Sequence, residues 1–170
     1  MNNSFYKQYG ASEAQNGVVV INTKNAAVFY GFAKDADDDE TGYNWRKNYD
    51  HVPTIAEIKS DIFALINALT DAKILSGYEW NSKPVYLSTE NQFNFKAAYD
   101  LAVQTEGETL PLKLKLGEDA DGNAVYHTFK SLTAFADFYT SAIAYIQTTL
   151  NDGWVEKDGI DWTAYELLEQ

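Results

Sequence analysis

Between Thr54 and Leu75 the apolar residues Ile55, Ile58, Ile62, Leu65, Ile66 and Leu69 recur at three- and four-residue spacing, the pattern that most constrains this chain. Such a stripe lies along one face of an α-helix. Its ends are marked. Pro53 sits just before it, Thr54 with Glu57 three residues on forms a capping box, and Gly77 is a natural stop. Glu57 and Asp61 near the start and Lys73 near the end complement the helix dipole.

What precedes this helix reads as short strands. Phe5–Tyr9 is a candidate first strand, Val18–Ile21 is a β-branched run, and Val28–Phe32 alternates Val28, Tyr30 and Phe32 on one face. Asn22-Thr23-Lys24-Asn25 has turn chemistry and predicts a hairpin between the last two. Asp35–Glu40 places five acids in six residues, an exposed loop by self-repulsion alone. The aromatic-basic stretch Tyr43-Asn44-Trp45-Arg46-Lys47 follows.

Beyond Gly77 one plan is used twice. Tyr78-Glu79-Trp80 and Val85-Tyr86-Leu87 flank Asn81-Ser82-Lys83-Pro84, a hairpin with a four-residue loop. Thr89 with Gln92 gives a second capping box, and Phe93, Ala97 and Leu101, joined by Ala98 and Ala102, form the expected inner stripe of the next helix. Leu112–Leu116 alternates strictly, Gly117–Asn123 is a turn and Val125–Phe129 the return strand. Ser131 caps a third helix with Phe135, Phe138, Ala142, Ile146 and Leu150 inward, and Asn151-Asp152-Gly153 is read as its end. The tail, with Trp154, Ile160, Trp162 and Tyr165, is too aromatic for a free linker. The expectation is an α+β fold: an N-terminal antiparallel β-meander over 1–50, then an α+β region over 51–170 made of a long helix, two β-hairpin–helix units and the aromatic tail.

Composition narrows the function. With 45% hydrophobic residues in 170, the chain can bury a core without disulfide or metal. It has no cysteine, which removes thiolate nucleophiles and cysteine-ligated zinc. A formal net charge of -12, from 13 Lys and Arg against 25 Asp and Glu, argues against nucleic acid and against an anionic membrane surface. No window approaches the ~18 apolar residues of a membrane-spanning helix, and MNNSFYKQYG shows no signal peptide.

No residue pattern points to catalysis or a cofactor. Asp35, Asp37 and Asp39, and again Asp119, Asp121 and Asn123, alternate as calcium ligands do. An EF-hand loop also needs Gly at its sixth position and Glu at its twelfth, where these loops have Glu40 and Arg46, or Ala124 and Lys130. His51 and His127 have no second His or carboxylate at metal-ligand spacing. There is no G-x-S-x-G elbow, phosphate loop or dinucleotide fingerprint, and no carboxylate pair is singled out. The reading is a non-enzymatic protein with no metal and no cofactor. Trp45 with Arg46, Trp80, Trp154 and Trp162 are the candidate partner-binding residues, since Trp, Tyr and Arg dominate interface hot spots.

The stretch Ile74-Leu75-Ser76-Gly77-Tyr78-Glu79-Trp80, then Pro84-Val85-Tyr86-Leu87-Ser88-Thr89-Glu90-Asn91-Gln92-Phe93-Asn94, resembles a tailed-phage domain family of unknown function. The later Phe/Tyr-rich helix, Gly153-Trp154 and Lys157-Asp158 fit the same pattern, and the likeness covers roughly residues 50–165. Members occur in phages and prophages of gut bacteria, near tail and tail-fibre genes. The N-terminal strands loosely resemble small tail-fibre assembly proteins. The resemblance implies a virion-associated or assembly role in the tail or tail-fibre module. Its partners would be other phage structural proteins (a fibre, baseplate or tail component), and its location the virion or the host cytoplasm during assembly. It carries no catalytic residues. The competing expectation is a host-surface glycan-binding module using exposed aromatics.

Overall fold

The computed structural model describes residues 4–166. Met1–Asn3, the start of the stretch read for a leader, and the last four residues of the 51–170 region lie outside the described residues. The fold is α+β, with four strands first, then a long helix, then two strand–strand–helix arrays. Its contacts divide it into two compact units, residues 1–66 with 157–170 and residues 67–156. The sequence predicts a division after residue 50. The first unit instead takes in Ile58, Ile62 and Ile66 from the helix beyond, because they share a core with Val28, Tyr30, Tyr49 and Tyr165.

The first unit is built on an antiparallel sheet of β1 (Tyr6–Ala11), β2 (Gly17–Asn22), β3 (Asn25–Ala33) and β4 (Gly42–Tyr49), in the order β1-β4-β3-β2. The sequence predicts β1, β2 and β3 as strands, whereas the meander that forms runs through β2, β3 and β4. β1 lies beside β4, so the order is that of a Greek key. The crossing segment is fastened by buried Asn44, whose Oδ1 accepts from the Gln15 N–H at 2.8 Å and whose Nδ2 donates to the Glu13 carbonyl at 3.1 Å. The β2–β3 turn is at Thr23-Lys24 as expected, with Asn22 Oδ1 accepting from the Lys24 N–H at 2.9 Å. Tyr43–Lys47, unassigned by propensity, is the centre of β4.

Helix α1 (Ile55–Ser76) starts on the expected capping box: the Thr54 N–H donates to Glu57 Oε2 at 2.8 Å and the Glu57 N–H to Thr54 Oγ1 at 3.3 Å. Asp61 on its sheet-facing side receives Lys47 Nζ at 2.6 Å and the Tyr49 hydroxyl at 2.5 Å, two residues that share a face of β4. The aromatic tail packs back. A 3-10 turn over Trp162–Tyr165 buries Tyr165, whose hydroxyl donates to the Phe29 carbonyl at 3.0 Å.

The second unit holds the end of α1, the hairpin β5 (Tyr78–Trp80) and β6 (Lys83–Val85), α2 (Thr89–Gln104), the hairpin β7 (Leu112–Glu118) and β8 (Ala124–Phe129), and α3 (Leu132–Asp158) as far as residue 156. The Tyr86 N–H donates to the Leu116 carbonyl at 2.8 Å, joining the hairpins. Gly117 permits this approach, since a Cβ there would sit 3.0 Å from the Pro84 carbonyl oxygen. The core is aromatic: Phe129 stacks on Phe135 at 4.5 Å, Phe95 meets Phe138 edge-on at 5.1 Å, and Tyr99 stacks on Tyr139 at 4.7 Å.

Four local expectations are corrected. The β5–β6 loop has two residues, not four, because Asn81 and Ser82 both take positive φ (50° and 57°) and form a tight turn of the I′ kind. The N-cap of α2 is Ser88, not Thr89: Ser88 Oγ accepts from the Asn91 N–H at 3.2 Å, while the Gln92 amide donates to the Leu87 carbonyl. The inner face of α2 carries Phe95, Ala98, Tyr99 and Ala102, not Phe93, Ala97 and Leu101. Helix α3 does not stop at Asn151-Asp152-Gly153. Gly153 lies inside it, where a Cβ would come 2.6 Å from Thr70 Oγ1, so it is a packing glycine between α1 and α3.

Candidate interaction surface

The five residues expected to meet a partner do not gather in one place. Trp80 is only 7% exposed. Its Nε1 donates to Asp137 Oδ2 at 3.0 Å and its ring lies among His127, Phe129 and Phe138, so it is a core residue of the second unit. Trp45 is half-buried in the first unit and meets Tyr43 edge-on at 5.5 Å. Arg46 points to the other face of β4, where its guanidinium lies 5.4 Å from the Phe29 ring and donates to Asn48 Oδ1 at 2.9 Å. Trp162 is half-buried between Phe63 and Tyr165, with Lys59 Nζ 5.1 Å from its ring. Trp154, on α3, is 58% exposed and is the one of the five that presents most of its side chain to solvent.

A further exposed apolar feature is on α2. Phe93 is 70% exposed, Leu101 51% and Val103 45%. Phe93, exposed Ala97 and Leu101 stand four residues apart, one ridge along the outward side of the helix. Sequence periodicity detects this ridge but assigns it to the core. Two stripes interleave on α2, and the one bearing two aromatic rings, Phe95 and Tyr99, is drawn into the aromatic core, leaving the other uncovered.

At the start of the same helix lies an open cleft of about 460 Å³, lined by Ser76, Pro84, Val85, Tyr86, Asn91, Lys115, Gly117 and Glu118. Asn91 Nδ2 donates to the Tyr86 carbonyl at 2.8 Å, fixing the segment that enters α2, and Tyr86 itself is exposed. Lys115 and Glu118 pair at 2.7 Å, so the charged part of the lining is close to neutral. Ser76 Oγ donates to the Ala72 carbonyl at 3.1 Å, and neither histidine lines the cleft. The lining therefore sets out hydrogen-bonding groups and one aromatic ring, a surface suited to contact.

The two histidines occupy opposite settings. His51 lies between Asp50 (3.0 Å) and Glu57 (3.1 Å), and those carboxylates hold its imidazole above the usual range. His127 packs against Trp80 and Phe129, and burial, then the neighbouring Lys83 ammonium, push it below that range. Lys83 Nζ donates to His127 Nδ1 at 3.2 Å, which fixes Nδ1 as an acceptor and places the ring proton on Nε2. Of the two acidic loops, the second is a turn in which Asp119 Oδ1 accepts from the N–H groups of Asp121 and Asn123, and those bonds hold its carboxyl below the usual range. Among the described residues no group of three His, Asp or Glu is arranged to hold a metal ion, and no helix is long and apolar enough to cross a membrane. Set beside known proteins, the chain matches no family model, and no curated protein and no solved structure is similar to it.

Proposed function

We propose that this chain is a non-enzymatic, protein-binding component of a tailed-phage tail or tail-fibre module, acting in the virion or in the host cytoplasm during assembly. Its partner on this reading is another phage structural protein: a fibre, baseplate or tail component. The observation that carries the protein-binding part is the uncovered ridge of Phe93, Ala97 and Leu101 on α2. A phenylalanine 70% exposed on a well-packed helix leaves apolar surface in water that contact with a partner would bury, and Phe is among the aromatic residues enriched at the cores of interfaces. The phage part is supported by the resemblance that runs from Ile74 through Asn94 and on to Lys157-Asp158.

Mass spectrometry of purified particles of a phage encoding the chain tests the location. Co-purification from infected-cell lysate tests the partner. Stoichiometric presence in particles, or a stable complex with one tail or fibre protein, is the expected result. Absence from both overturns the reading.

A further inference from the structure

The sheet of the first unit has two edges, β1 and β2, and they are treated differently. β1 carries Lys7 and Gln8, and its register with β4 breaks between Tyr9 and Ala11 around Gly10, at φ 91°. Charge and irregularity of this kind are how natural sheets keep edges from pairing. β2 has no such guard. Its sequence, Gly17-Val18-Val19-Val20-Ile21-Asn22, contains no charged residue and no proline, and its one register shift lies beyond Val20. Val19, Val20 and Ile21 are 53%, 46% and 56% exposed, and they alternate over the two faces of the strand. The aromatic 3-10 turn comes against the Gly17 end, where a Cβ would sit 3.0 Å from the Ala164 carbonyl oxygen. Among the described residues the open seam is therefore Val18–Ile21.

We infer that this edge pairs with the β2 edge of a second copy of the chain, antiparallel across a twofold axis, so that two four-stranded sheets join into one of eight strands. Three features favour a second copy. An antiparallel strand is its own complement about a twofold axis, so no further recognition element is needed. A partner chosen by charge would leave opposite charges on the seam, and β2 has none. Between copies that each carry a net charge of -12, an uncharged strand adds no like-charge contact of its own at the seam. With the twofold axis at Val20, Val20 faces its own copy and Val19 faces Ile21, so the exposed β-branched side chains of β2 become cross-strand neighbours. One strand is a small seam, below the roughly 800 Å² per partner of a standard interface, so the dimer depends on concentration.

Light scattering of the full chain from about 1 μM to about 1 mM spans the affinities such a seam can give. The expected result is a rise toward twice the 19.1 kDa mass. Because the seam is neutral and the copies repel, raising the ionic strength should strengthen the dimer, the reverse of a charge-driven complex. Val19→Lys and Val20→Lys, on opposite faces, should each weaken association tenfold or more, since residue 20 then sets like charges directly opposite and residue 19 sets them diagonally across the seam. The chain has no cysteine, so Val20→Cys introduces a single thiol. Oxidation should cross-link it, while Tyr126→Cys, exposed on β8, should not cross-link at the same rate. A monomer throughout the range overturns the inference. So does a dimer that survives both lysine variants. If a lysine variant fails to fold, the cysteine pair decides: cross-linking at residue 20 in excess of residue 126 supports the seam, and equal rates overturn it.

Discussion

Lys47 is the residue whose environment asks most of its partners. It is 7% exposed, and its ammonium is met by Asp61, which also takes the Tyr49 hydroxyl. Burial and that bond raise the Tyr49 hydroxyl well above its ordinary value, so it stays protonated and donates. Asp61→Ala leaves the ammonium in the interior without its anion, and removing one partner of a buried pair costs about 3 kcal/mol. Asp61→Asn, which keeps an acceptor for Tyr49, should cost less; denaturant unfolding followed by tryptophan fluorescence distinguishes the two. None of this was legible in the sequence. The spacing marks Asp61 as a dipole partner, and only the sheet register puts Lys47 and Tyr49 over it.

The histidines give a second residue-scale prediction. His51 is raised, so folding favours its protonated form. Its contribution is present below an unfolded value of about 6.5 and is lost as pH rises through its folded value. His127 is lowered, so its contribution is complete above about 6.5 and is lost as pH falls through its folded value. Two imidazole titrations followed by NMR should therefore fall on opposite sides of the unfolded value. Stability should decline with rising pH above it in a way that His51→Gln abolishes. Titrations coinciding at the unfolded value would show that neither contact forms in solution.

At the scale of elements, α1 and the two hairpin–helix arrays were legible because long periodic patterns and caps report on themselves. The boundaries were not. Asn81 and Ser82 tighten the hairpin by adopting positive φ, which residue type alone does not announce. Gly153 reads as a stop because glycine commonly ends helices, yet here it makes room for Thr70. Gly153→Leu should destabilise by about 1–3 kcal/mol through overpacking. Gly153→Ala should be measurably more stable in a Thr70→Ala background than alone, because the second substitution removes the hydroxyl in the way. A double-mutant cycle by thermal unfolding reads that coupling, and additive effects would mean α1 and α3 do not pack this closely.

At the scale of the whole molecule, the α+β class follows from strand patterns alone before residue 50 and from helical stripes of period three and four alternating with hairpins after it. Which aromatic residues are exposed was only partly legible. Of the Trp-centred expectation, Trp80 went to the core because its ring completes the aromatic cluster with Phe129 and Phe138, while Trp154 is open to solvent. The α2 ridge was visible as a pattern and invisible as a surface. An apolar stripe looks the same in sequence whether the fold covers it or leaves it for a partner.

Whether this ridge meets a partner is decided by the double variant Phe93→Asp with Leu101→Asp. Capture of a partner from infected-cell lysate and the thermal midpoint are measured on the same preparation. The expected result is loss of capture with a midpoint close to the parent's, since charges at exposed sites change stability by about 0.5 kcal/mol or less. Capture that persists, or a midpoint lowered by many degrees, would contradict it.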